Sequence, residues 1–242
     1  MSSVLITGAS SGLGQQLALD YAKQGKKVYA TGRSEARLSR LCQHSPNIEA
    51  VIFDVADKQA TEAALMGLPE VPDLIVLNAG NCEYLDEGRV DTALFERVFS
   101  ANFFGVLHCI EALQSQFTSK THLVLVGSSA AYLPLPRAEA YGASKAALAY
   151  FAHSLRMGLS SLGVTVSLVS PGFIKTPLTD KNDFPMPMRV SVEHASREVQ
   201  KGVEKKKLDI HFPSRFTGFM RALTLLPLSW RLSLIQKMIG RQ

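Results

Sequence analysis

Tyr141 and Lys145 stand four residues apart in Tyr141-Gly142-Ala143-Ser144-Lys145. On a helix, positions i and i+4 share one face. A free phenol titrates near pH 10 and exchanges protons poorly at neutral pH. An ammonium beside it favours the phenolate and is expected to lower that value. Such a pair can pass a proton to or from a carbonyl oxygen. Upstream, Gly127-Ser128-Ser129-Ala130-Ala131 carries two hydroxyls. Either could hydrogen-bond the same oxygen as charge develops on it. Asn102 lies in a long helical pattern, although asparagine is an indifferent helix former. Its presence there asks for a reason.

A second constellation opens the chain. Thr7-Gly8-Ala9-Ser10-Ser11-Gly12-Leu13-Gly14 joins an apolar run to an amphipathic stretch. Glycines permit a sharp turn and a close approach to the backbone. The following helix N-terminus offers free N–H groups and partial positive charge to a pyrophosphate. The second apolar run ends Val28-Tyr29-Ala30-Thr31, followed by Gly32-Arg33-Ser34. An acid at that point would bind a ribose 2′-hydroxyl and repel a 2′-phosphate. Arg33 stands there instead, and a guanidinium pairs with phosphate through two parallel bonds. Asp54-Val55 closes the third run, where an aspartate either meets a ligand or caps the helix expected near Lys58. Asn78-Ala79-Gly80 follows the fourth run, and Pro171-Gly172-Phe173-Ile174-Lys175-Thr176 follows the sixth. As bare patterns, both are turns.

Together these segments resemble the classical short-chain dehydrogenase/reductase family. The resemblance runs over roughly residues 3 to 177, almost three quarters of the chain. The glycine spacing G-x-x-x-G-x-G matches that family and not the commoner G-x-G-x-x-G. The resemblance implies an NADPH-dependent oxidoreductase that reduces a carbonyl or oxidises an alcohol by hydride transfer. It makes Tyr141 the general acid/base and Ser128 the residue that steadies the substrate oxygen. Lys145 would hold the nicotinamide ribose and tune the tyrosine, and Asn102 would hold a water leading from the lysine to solvent. An ungapped match selects Ser128; a loop one residue shorter would select Ser129. The cofactor would lie on Gly8, Ser10, Ser11, Gly12, Leu13 and Gly14, with Arg33 favouring NADP over NAD. Asp54 and Val55 would meet the adenine. Asn78, Ala79 and Gly80 would line the cleft, and Pro171, Gly172, Ile174 and Thr176 would face the nicotinamide. Leu77 departs from the family's more usual asparagine.

The elements that must position these residues follow from periodicity. Seven short apolar runs read as strands buried on both faces: 4–7, 27–31, 48–53, 73–77, 122–127, 164–170 and 208–212. Helical patterns at 12–24, 35–43, 58–68, 91–117 and 140–162 alternate with them. This predicts one α/β domain over residues 1–242, a Rossmann-type, doubly wound parallel sheet of about seven strands. Ligands in such folds bind beyond the carboxyl ends of the strands.

Composition narrows the remaining possibilities. The 242 residues are 46% hydrophobic and 19% charged, as a packed globular chain requires. Cys42, Cys82 and Cys109 form neither a disulfide framework nor a zinc pair, and no histidine spacing suits a metal. A cytoplasmic chain is expected, with no signal peptide and no unbroken apolar run of about 20 residues. The net charge of +5 is uneven: residues 197–242 carry ten Lys/Arg against three Asp/Glu, a net +7, leaving −2 for the rest. No nucleic-acid motif accompanies that basic end, so no nucleic-acid partner is expected.

Two regions fall outside the resemblance. Residues 177–192 hold three prolines and two methionines and read as a lid over a substrate, with an apolar preference. Residues 213–242 form a basic amphipathic segment that Pro227 should divide into two short helices. It could dock on the body, cover the active site, meet another subunit or lie on an anionic membrane. A homodimer or homotetramer, paired through the two long helices, is what the resemblance implies. A non-catalytic NADPH sensor or scaffold, membrane-peripheral or not, is the competing class.

Overall fold

Seven apolar runs become the strands β1 (Ser3–Ile6), β2 (Lys27–Gly32), β3 (Ile48–Ile52), β4 (Leu74–Leu77), β5 (His122–Val126), β6 (Thr165–Pro171) and β7 (Asp209–Phe212). The structure is a computed structural model and describes residues 2–86, 88–181 and 184–239. The strands form one sheet in the order β3-β2-β1-β4-β5-β6-β7, every neighbouring pair parallel. β1, β4 and β5 are buried at every position because helices cover both faces.

Between the strands run α1 (Gly12–Lys23), α2 (Glu35–Cys42), α3 (Lys58–Met66), α4 (Thr92–Phe99), α5 (Gly105–Leu113), α6 (Glu139–Gly158) and α7 (Val192–Glu204). α8 (Ser214–Leu223) and α9 (Leu228–Ile239) follow the last strand, on either side of Pro227. Leu13, Leu17, Leu38, Val199 and Val203 belong to one core, under α1, α2 and α7. Leu65, Val106, Ile110, Leu148 and Ala152 belong to the other, under α3, α5 and α6. The chain builds β2 and β3 on one side of β1, then returns to lay β4 on the other. The loops leaving β1 and β4 therefore diverge, and a crevice opens where the strand order reverses.

Two sequence expectations need correction. The helical pattern at 91–117 is not one α-helix: residues Ser100–Phe104 form a wider π turn between α4 and α5. The stretch Thr92–Gln116 is also long and apolar enough, by composition, to cross a bilayer, with mean hydropathy 1.2. It serves instead as a core helix, burying Val98, Asn102, Val106, Cys109, Ile110 and Leu113. α7 was not anticipated. Its start follows Ser191, whose hydroxyl accepts from the His194 N–H and caps the helix.

β5 carries a buried histidine whose titration opposes folding. His122 is 1% exposed. The Ser167 hydroxyl donates to the Lys207 carbonyl, so it accepts from His122 Nε2 at 2.8 Å. Nδ1 has no partner. Burial pushes His122 down to about 4, with Lys206 adding repulsion. An unfolded histidine titrates near 6.5 and takes up its proton first as pH falls. Stability is therefore full above pH 6.5 and is lost progressively down to pH 4, by up to about 3 kcal/mol. Denaturant titrations of wild type and His122→Asn across that window check this; the variant's slope with pH is expected to be shallower.

Candidate active site

The crevice is a cleft of about 790 Å³ that runs along the carboxyl ends of the strands. Gly8, Ser10, Ser11, Gly12 and Leu13 line it from the first βα turn, and Arg33 and Asp54 from the second and third strand ends. Val55, Asn78, Ala79, Gly80, Ser128, Tyr141, Lys145, Pro171, Gly172, Ile174 and Thr176 complete the wall. Separations of up to 168 positions in sequence thus close on one space. Of the expected set, Gly14 stands behind the wall and Asn102 beneath it.

Sterics explain the turn. Gly8 holds φ +68°, and a Cβ there would meet the Ala79 Cα at 2.8 Å. A Cβ on Gly14 would meet the Gly8 carbonyl oxygen at 2.5 Å and Asn78 Nδ2 at 2.6 Å. The start of α1 is thus drawn against the loop after β4. Thr7 fastens the same joint: its hydroxyl accepts from the Asn78 and Ala79 N–H groups at 2.9 and 3.0 Å. Asn78 Nδ2 returns a bond to the Thr7 carbonyl at 3.0 Å. Ser11 makes no side-chain cap on α1, so the first-turn N–H groups remain directed into the cleft. That arrangement fits a pyrophosphate.

Arg33 sits at the far end, its guanidinium 3.3 Å from an Asp54 oxygen. The other Asp54 oxygen accepts from the Ala56 N–H at 3.0 Å. The helix cap that Asp54 might have supplied comes from Asp57, which accepts from Ala60 at 3.0 Å. Arg37, in the first turn of α2, lines the same end. Its place in the first turn of the helix that follows Arg33 was the signal that could have found it.

At the other end, Tyr141 and Lys145 occupy one face of α6, the ammonium 5.8 Å from the ring centre. Lys145 is 4% exposed and its Nζ donates to the Val126 carbonyl at 2.9 Å. Burial dominates both groups. It pushes Tyr141 up to about 12, against a hydrogen bond with Ser128 that lowers it. It pulls Lys145 down to about 8. The expected lowering of the phenol by the ammonium is thus overridden, because desolvation costs both charged forms at once. The phenol therefore holds its proton more tightly than a free one.

Ser128 is the serine that reaches Tyr141 by hydrogen bond. Its oxygen also accepts from the Ala130 N–H at 3.1 Å. Ser129 opens the short turn that follows.

Asn102 is fully buried and its side chain is committed. Its Oδ1 accepts from the Asn81 N–H at 2.6 Å, and Nδ2 donates to the Asn81 carbonyl at 2.8 Å and to the Ser144 hydroxyl at 3.0 Å. The amide clamps the loop after β4 onto α6, and no side-chain N–H is left over for water. A Cβ on Gly80 would lie 2.9 Å from Asn102 Oδ1 and 3.5 Å from Lys145 Nζ, so the loop passes between them. Asn81, Ser144 and Cys82 escaped sequence reasoning. The first two are fixed by backbone proximity, which no motif spacing records. Cys82 stands near enough to Tyr141 and Lys145 to act on both electrostatically.

The region 177–192 lies against this end. Val190 pairs with Ile174, Arg189 is held by Asp180 and Thr179, and Phe184 packs edge-on to Tyr84 at 5.6 Å. Asn182 and Asp183 of that segment lie outside the described residues, as do residues 240–242 of the C-terminal one. No cluster of His, Cys, Asp or Glu among the described residues suits a metal.

A βαβ sheet with a dinucleotide crevice and a Ser-Tyr-Lys constellation at one end defines an NAD(P)-dependent oxidoreductase. The short chain dehydrogenase family model matches residues 2–185, and the chain belongs to the short-chain dehydrogenase/reductase family. An uncharacterised oxidoreductase of Myxococcus xanthus is 34% identical over 234 residues, covering 93% of this chain and 92% of that protein. A short-chain dehydrogenase from Sphingobium yanoikuyae in complex with NADPH superposes with TM-score 0.80 at 24% identity, over 92% of this chain and 93% of that one. One from Burkholderia phymatum, in complex with NAD, gives TM-score 0.82 at 21% identity, over 91% and 92%.

Proposed function

We propose that the protein reduces an apolar aldehyde or ketone with NADPH, Tyr141 delivering the proton. The observation that carries this is the single cleft with Ser128, Tyr141 and Lys145 at one end and two arginines at the other. A nicotinamide dinucleotide supplies the hydride when bound. The chain's own residues do the rest. Tyr141, held protonated by burial, gives its proton to the developing alkoxide. Ser128, bonded to the phenol, stabilises the same oxygen. Lys145, lowered toward neutrality, exchanges protons with Tyr141 and anchors the ribose. Asn102 positions the loop after β4, its side-chain amide being committed to Asn81 and Ser144. Asp54 meets the adenine.

The substrate preference rests on aromatic side chains. Phe184 packs between Tyr84 and Phe173, and Phe173 packs on Phe216 at 5.7 Å. These rings stand on the segments beside the cleft and not in its lining, and an aromatic rim of this kind favours apolar carbonyl compounds. The free thiols suit a reducing cytoplasm. A homo-oligomer would cover Phe104, Tyr150 and Met157, which the long helices expose. The test is a panel of aldehydes and ketones with NADPH and NADH in parallel; turnover confined to charged, polar carbonyls would reject the substrate class.

Cofactor choice gives a separate expectation. Two charge-assisted contacts of roughly 1.5–3 kcal/mol each support a 2′-phosphate. Arg33→Ala/Arg37→Ala should therefore lower the ratio of NADPH to NADH kcat/KM by about 100-fold or more. Steady-state kinetics with both cofactors measure it.

A further inference from the structure

Among the described residues, sixteen large hydrophobic side chains are exposed, and six of them lie between positions 219 and 234. They are Phe219 on α8, Leu225 in the connection, and Leu228, Trp230, Leu232 and Leu234 on α9. Leu225 is 86% exposed and Trp230 66%. The two helices are nonetheless docked. Met220 and Ile235 are buried with Leu133, and Phe216 and Leu223 pack against them. Phe216 also lies against the loop after β6, where a Cβ on Gly172 would meet its ring at 2.9 Å. The helices thus bury one set of apolar side chains in the body and offer another to the outside.

Charge says what the second set meets. From Ile210 to the end, 33 residues contain five Lys/Arg and no Asp or Glu. Arg221 is tied to Asp209 of β7 at 3.3 Å. Arg215 and Lys237 are exposed, and no ion pair is found for either among the described residues. A second copy on this surface would set like charges against each other. An anionic lipid surface accepts both the basic residues and the apolar ones. We propose that α8 and α9 dock the protein on an anionic membrane, with Leu225 and Trp230 entering the headgroup boundary. Phe216 of α8 packs on Phe173, so the docked face adjoins the loop after β6.

Trp230 is the only tryptophan, so its fluorescence reports the contact directly. Full-length protein is mixed at low salt with vesicles of phosphatidylcholine containing phosphatidylserine, and with phosphatidylcholine alone. The expected result is a blue shift and co-sedimentation with the anionic vesicles, reduced several-fold at high salt. Leu225→Glu should cut vesicle partition by at least tenfold while leaving its tryptophan available and NADPH turnover of a water-soluble carbonyl unchanged. Arg215→Gln/Lys237→Gln should weaken binding to anionic vesicles only. No blue shift and no sedimentation at low salt would overturn the proposal. So would equal binding to both vesicles, or a blue shift that follows protein concentration without lipid, which would make the occupant a second copy. Neither result bears on the oxidoreductase reading, because turnover is measured separately.

Discussion

Tyr141→Phe is expected to lower kcat for carbonyl reduction by about 1,000-fold, within the range that positioned acid catalysis supplies. The substitution removes only the hydroxyl. The ring keeps its place on α6 and the cleft keeps its lining, so NADPH should bind with an affinity close to wild type. Separating these two readouts matters, because a loss of binding would mean a damaged cleft and not a missing proton. Fluorescence titration of NADPH and single-turnover reduction measure them independently. The pH profile sharpens the test. Burial raises the phenol to about 12, so the proton needed for reduction is present throughout neutral pH. Reduction should hold below about pH 8, decline in part as Lys145 loses its proton there, and fall fully only in strong alkali as the phenol proton is lost. Alcohol oxidation needs the phenolate and should rise with pH. A Tyr141→Phe protein reducing a good substrate at the wild-type rate would falsify the assignment.

Gly14→Ala should be among the most damaging single methyl groups at the described glycines. Its Cβ would stand 2.5 Å from a backbone carbonyl and 2.6 Å from an amide already bonded to Thr7. Neither atom can retreat without moving the turn after β1 or the loop after β4. Overpacking of this kind costs about 1–3 kcal/mol. Because those loops form the cleft, NADPH affinity should fall by at least about tenfold, which is 1.4 kcal/mol of distortion. Gly158→Ala supplies the contrast. It ends α6, and a Cβ there meets nothing within 4 Å. Removing a helical glycine should stabilise the fold by about 0.5–1 kcal/mol and leave NADPH binding alone. Denaturant midpoints and NADPH titrations on both variants decide whether the effect belongs to the place or to the residue type.

Much of this was legible before any coordinates. The buried strands announced themselves as Val-Ile-Leu runs, because parallel sheets have no polar face to show. The site residues were legible as motifs hung on strand ends. What escaped is instructive. α7 is strongly amphipathic, yet its buried side relies on Ala195, Ser196, Gln200 and Gly202 as well as valines. Ser196 and Gln200 are buried there by bonding to Asp20 of α1. That polar seam breaks the hydrophobic period. The tyrosine's acidity was read in the wrong direction, since a local pair rule knows nothing of burial. Asn102 was noticed for its type, but its bonds to Asn81 and Ser144 depend on three elements meeting.

The π turn at Ser100–Phe104 makes the site helix a matter of counting. Leu94, Val98, Asn102, Val106 and Ile110 recur every four positions, all inward. In an uninterrupted α-helix each such step slips by about 40°, and four steps would carry Ile110 well round the barrel of the helix. The wider turn absorbs one residue and restores the alignment. Deleting Ala101 would take out that extra residue, and in the regular α-helix that results Leu94, Val98, Asn102, Val106 and Ile110 would lie within about 80° of one another. The segment thus carries one residue more than a regular helix needs, and the surplus sits where Asn102 reaches Asn81 and Ser144.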